Sequence, residues 1–184
     1  MKRIYLVLVC AAFGVLFSCQ DEKSPDFLIK DNQVGKLKKE SVARDIELIF
    51  EQDSVVQDTV KLNFGSGASK ILVFEKGGKL LLSLTPNNDS IPTIQNVQIN
   101  DDRFVTDKGI TKKSTFKDIK ENYKIKKIIS SLNNVVVLIK DSDLYFTIDK
   151  SELPENLRYN ANSQIEEVQI PDKAKIKYMM IGWD

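Results

Sequence analysis

The chain has 184 residues, with 27 Lys and Arg against 26 Asp and Glu, a formal net charge of +1 and no histidine. Near-neutral, interleaved charge offers no basic field to hold nucleic acid. Without histidine, no Ser–His–Asp triad, Cys–His pair or zinc site of the usual ligand types can be assembled.

The chain opens on the basic Met1-Lys2-Arg3, followed by an apolar run from Ile4 to Phe17. That run is shorter than the roughly twenty residues needed to span a bilayer, and with its basic start it has the form of a signal-peptide core. It ends in Leu16-Phe17-Ser18-Cys19. This tetrapeptide resembles the lipobox of bacterial lipoproteins, with an aliphatic residue three before the Cys and a small one just before it. The resemblance implies cleavage after residue 18 and a covalent lipid on the Cys19 thiol. Cys10 falls in the discarded run, so the processed chain has neither a disulfide framework nor a Cys metal ligand. Gln20 beside the Cys resembles lipoproteins sent to the outer membrane, and Asp21-Glu22 resembles export signals of surface lipoproteins in the Bacteroidetes group. Residues 19–33 are polar, contain Pro25 and show little periodicity. They are expected to form the anchor and a flexible tether with a reach of about 20 Å.

The first predicted helix is Ser41–Phe50. It follows Gly35 and Lys38-Lys39, has Ser41 at the N-cap, and places Ala43, Ile46 and Phe50 on one face. The Gly-rich stretch Phe64–Lys70 lacks the phosphate-loop spacing and leads into a strand, so it is expected to be a plain loop. Ile71–Leu84 predicts a hairpin turning at Gly77-Gly78. A strand is expected from near Gln95, within Ile94–Asp101. Asp101, Asp102 and Asp107 carry oxygens that calcium takes, but their spacing fits no EF-hand, and a turn is the expected use.

The second half repeats this order. Gly109 and Lys112-Lys113 precede a predicted helix over Ser114–Tyr123, with Ser114 or Thr115 at the N-cap, in which Thr115 and Asp118 resemble a capping box and Phe116, Ile119 and Tyr123 share a face. Val135–Ile148 predicts a hairpin turning at Asp141-Ser142-Asp143. Ile165–Asp172 mirrors Ile94–Asp101. Lys175–Trp183 predicts a last strand, with Arg103–Thr106 as its expected counterpart in the first half. Three matches in one order point to an internal duplication. The expected fold is α+β: two tandem helix-plus-antiparallel-sheet units, 34–104 and 105–184, packed into one or two small cores.

The order of elements resembles the repeat unit of the β-lactamase-inhibitor-protein-like fold, also found in small lipoproteins of the outer-membrane assembly machinery. The stretch 103–115 looks like uncharacterised lipoproteins of Bacteroidetes-type bacteria. The resemblance implies binding of a protein partner on a sheet, without catalysis.

The expected function is therefore a non-enzymatic, lipid-anchored outer-membrane protein facing the periplasm or the cell surface. Its partners are the membrane, through Cys19, and an envelope protein that it scaffolds, assembles or inhibits. The covalent lipid is its only expected cofactor, with no metal. Tyr145 and Trp183 are the candidate partner contacts, as exposed aromatics often anchor interfaces. Two alternatives stay open: a small-ligand or glycan pocket between the units, and a hydrolase using carboxylates alone. For the latter, Glu47, Glu51, Asp118 and Glu121 lie on the helices, where acidic residues usually face water.

Overall fold

The computed structural model describes residues 24–58, 70–159 and 164–183. It is a mixed α+β fold, mostly strand with few helices, arranged in two sheets.

The small sheet comes first. Pro25–Phe27 makes a 3-10 turn, followed by β1 (Leu28–Lys30), β2 (Gln33–Val34) and β3 (Leu37–Lys38). β1 pairs antiparallel with β2 and parallel with a later strand, Val105–Thr106. The β2–β3 turn needs Gly35: its φ is +55°, and a Cβ there would collide with the Asp26 carbonyl oxygen. Part of the segment expected as a tether, from Pro25 to Gln33, instead belongs to this turn and sheet. Ile29 is buried, and the Phe27 ring meets Phe104 edge-on at 5.1 Å with the Arg103 guanidinium 4.2 Å above it. These apolar contacts outweigh the polar composition of the segment and tie it down.

The two predicted helices differ. Residues 41–50 yield only a 3-10 turn, Ala43–Asp45, and one turn of α1 (Ile46–Ile49). Ser41 is no N-cap here, because its Oγ accepts from the Lys38 N–H at 3.1 Å. The second helix, α2 (Phe116–Asn122), has Thr115 as its N-cap, while Ser114 Oγ accepts from the Thr111 N–H at 3.1 Å. The Asp118 carboxylate accepts from the Thr115 N–H at 2.7 Å and from its hydroxyl at 2.9 Å. Both helices are short and draw their stability from buried faces: Ile46 and Phe50 from the first, Phe116 and Ile119 from the second.

The large sheet has eight antiparallel strands. In chain order, with Val105–Thr106 as β8, they are β4 (Ser54–Asp58), β5 (Lys70–Phe74), β6 (Leu80–Pro86), β7 (Ile94–Ile99), β9 (Ile125–Ser130), β10 (Asn134–Ile139), β11 (Leu144–Asp149) and β12 (Ile176–Gly182). In space the order is β4-β5-β6-β7-β12-β11-β10-β9. Two four-stranded meanders thus meet at their last strands, β7 and β12. Both predicted hairpin turns form: Gly77 and Gly78 have φ of +114° and +91°, and Asp141 has φ of +56°.

One register row crosses all eight strands: Val55, Val73, Leu82, Ile99, Met179, Phe146, Val137 and Ile128. Its six central members have no exposed surface, so this face lies against the core. The buried residues of both halves and both helices form one cluster, a single core rather than two.

Two expectations fail in the second half. Ile165–Asp172 is not a strand. Glu167–Gln169 forms a 3-10 turn, the Gln169 side-chain oxygen accepts from the Glu166 N–H at 2.9 Å, and only Ile165 and Ile170 are buried. The place beside β7 is taken by β12 instead. Nor is Arg103–Thr106 the counterpart of the last strand, since Val105 and Thr106 belong to the small sheet. A further helical turn, α3 (Glu155–Arg158), had no signal in the sequence pattern.

Candidate functional site

Strand alternation puts every second side chain on the opposite face from the core. There a second row crosses the sheet: Val56, Leu72, Ser83, Gln98, Met180, Tyr145, Leu138 and Lys127. Seven of these eight side chains are uncharged, and most are half-exposed. Val56 and Leu72 make one end apolar, Leu138 lies beside Lys127 at the other, and Ser83 and Gln98 make the centre polar. Asn100 Nδ2 donates to Ser83 Oγ at 2.9 Å, and Gln98 Nε2 donates to Asn100 Oδ1 at 3.1 Å. These bonds pair the polar side chains of the centre with one another without placing a net charge on it.

Tyr145 lies in this row. Its ring packs over Gly182, where a Cβ would come within 3.3 Å of the ring, and its hydroxyl accepts from Asn96 Nδ2 at 2.7 Å. Asn96 Oδ1 then has no donor among the described residues. Trp183, the other aromatic candidate, is only 3% exposed and belongs to the core cluster. It is not available as a surface contact, because it follows β12 into the core, where its N–H donates to the Gln95 carbonyl at 2.7 Å. Cys19 and most of the Gly-rich stretch 64–70 lie outside the described residues.

The acidic candidates have structural employment. Asp101 has no exposed surface, yet it accepts from the Arg103 backbone at 2.8 Å and side chain at 2.8 Å, with Lys79 at 2.9 Å. Burial would raise its carboxyl, but these hydrogen bonds outweigh burial and hold it well below the usual carboxylate range. Arg103 also reaches Glu75 at 2.7 Å, which clamps the β5–β6 hairpin to the loop after β7. Asp102 pairs with Lys113 at 2.8 Å. Asp118 closes the capping box of α2, and hydrogen bonds from Thr115 lower its carboxyl. Glu47, Glu51 and Glu121 are exposed. Among the described residues, no three His, Cys, Asp or Glu side chains group as metal ligands, and no helix is long and apolar enough to cross a membrane.

No protein-family model and no curated protein matches the sequence. The fold is similar to the crystal structure of the uncharacterized protein YfeY from Escherichia coli, with a TM-score of 0.53 and 12% identity. The match covers 83% of this chain and 97% of that one. At that identity the likeness is one of fold.

The outer-face row went unseen in the sequence reading, apart from Tyr145. Alternation within each strand was visible, but the row exists only through the β7–β12 pairing, which joins residues about eighty positions apart.

Proposed function

We propose that this chain is a non-enzymatic, lipid-anchored envelope protein that binds a protein partner on the outer face of its large sheet. The observation that carries the reading is the eight-strand outer row. It is uncharged but for Lys127 and mixes Tyr, Met and aliphatic side chains with self-paired amides. Protein interfaces are depleted of charge at their centre and enriched in Tyr and Met. The signal-like start, the lipobox-like tetrapeptide and Cys19 supply the anchor.

The reading includes two tandem helix-plus-meander units, 34–104 and 105–184. Equivalent backbone contacts support it. The Ala43 N–H donates to the Pro92 carbonyl at 2.8 Å, and the Phe116 N–H to that of Ala174 at 2.9 Å. Bridges Val42–Thr93 and Thr115–Lys175 stand beside them. Ser41 and Ser114 each accept, through Oγ, the N–H three residues back at 3.1 Å. The mirror-like strand order follows from such a duplication.

Photo-crosslinking in the native envelope tests the proposal. A crosslinkable residue at Leu138 or Met180 on the outer face should capture one protein, and one at Leu48 on the helix side should not. Tyr145→Asp should reduce the capture at least about fivefold. Equal capture from both sides, or none from the outer face, would reject it.

A further inference from the structure

On the core side of the sheet, a cavity of about 450 Å³ opens between the β1–β2 turn and the β10–β11 hairpin. Small-molecule pockets span roughly 300–1,000 Å³. Its floor is apolar: Ile29, Leu144, Ile181 and Trp183 line it, each 5% exposed or less. Its walls are charged with both signs. Lys30 and Asp31 stand on one wall, and Lys140 and Asp141 on the other. Among the described residues none of these four makes an ion pair, whereas the nearby Lys39 and Asp143 close on each other at 3.1 Å and tie the hairpin to the loop after β3. Asn32 and Asp141, at φ of +61° and +56°, are the two non-glycine residues of the described chain in the left-handed region. Both line this cavity, one on each wall.

We infer that this cavity binds a short peptide with free termini, of about three residues and with an apolar side chain. The argument is one of complementarity. An anion alone would meet Asp31, Asp107 and Asp141, and a cation alone Lys30, Lys108 and Lys140. A molecule with an ammonium at one end and a carboxylate at the other finds the opposite charge on either wall, and its middle covers the apolar floor. Phosphoethanolamine carries both charges but only two methylenes between them, too little to cover the apolar floor. Sugars commonly stack on an aromatic face, and neither ring offers one: Trp183 is buried, and Lys108 Nζ sits 4.4 Å over the Tyr123 ring. The site lies on the opposite side of the sheet from the outer face, so it stands or falls independently of the protein-binding proposal.

Trp183 is the only tryptophan in the chain and reports directly on the floor. The full-length protein is titrated with trileucine, with its N-acetylated and C-amidated form, with phosphoethanolamine and with N-acetylglucosamine. Emission and equilibrium dialysis are both recorded, so a silent fluorophore does not hide binding. Trileucine should bind saturably with a Kd on the order of 100 μM, and the capped peptide at least about tenfold more weakly. Asp31→Asn and Lys140→Gln should each weaken trileucine by about three- to tenfold at an unchanged melting temperature. Three results would overturn the inference: no saturable binding up to about 10 mM, equal affinity for the capped peptide, or binding of phosphoethanolamine or the sugar in place of trileucine. Unchanged affinity in both variants would do the same.

Discussion

A carboxylate without exposed surface persists as an anion only where its charge is answered, and Asp101 is answered by Arg103 and Lys79. Asp101→Ala should therefore cost about 2 kcal/mol, since Arg103 and Lys79 keep some solvent contact once abandoned. Urea denaturation measures this, and a loss below about 0.5 kcal/mol would show the network to be dispensable. The same chemistry sets an acid limit. Hydrogen bonds from Lys177 at 2.7 Å and from the Ser151 N–H at 2.9 Å lower the Asp149 carboxyl to about 2, and Asp101, Asp118 and Glu75 are also lowered. Carboxyls depressed on folding add stability above their unfolded values, near 4, and that stability is lost as pH falls through the folded values. The urea midpoint should be flat from pH 7 to about 5 and drop between about pH 4 and 2. A midpoint that held to pH 2 would contradict these assignments. Nothing in the sequence marks Asp101 as different from Asp102 beside it. The difference is the position of the loop after β7, which turns one carboxyl inward and leaves the other at the surface.

Among the elements, α2 shows what a local signal can achieve. Thr115 and Asp118 are three residues apart, and their hydrogen bonds close within one turn whatever surrounds them. Asp118→Ala should cost about 1 kcal/mol, read as a downward shift of the thermal midpoint by roughly 2–4 °C. No shift would mean that packing alone holds the helix start. The first helix lacks such a closure. Ser41 is used by the preceding turn, and only one helical turn survives. In the hairpins, Gly77-Gly78 and Asp141 made the turns legible in the sequence, because positive φ is a property of few residue types. The strand pattern misled at Ile165–Asp172. Its spacing of aliphatic residues matches Ile94–Asp101, but spacing does not supply a neighbouring strand. β7 already lies between β6 and β12, so residues 167–169 settle into a 3-10 turn.

For the whole molecule, both helix faces feed one core, so damage at both should not stay local. Ile46→Asp together with Ile119→Asp buries two unpaired carboxylates and should abolish cooperative melting. A retained sharp transition in calorimetry would refute the packed-helix arrangement. The proposed anchor is tested separately: Cys19→Ala should move the protein from the membrane to the soluble fraction, and a variant still in the membrane would reject lipidation of that thiol as the anchor. What could be read from the sequence alone was whatever closes over a few residues: the α2 cap, the two hairpin turns, the last strand, and the α+β composition that alternation and short helical faces imply. The tertiary structure decided how those pieces meet. It joined two meanders at β7 and β12, merged their interiors into one core, drew Phe27 and Ile29 out of an apparent tether, and buried Trp183 in that core. Hydrogen bonds within a turn depend on residues that are always close. Pairing between distant strands depends on which apolar surfaces are left to cover when the chain collapses, and that is a property of the whole chain rather than of any segment.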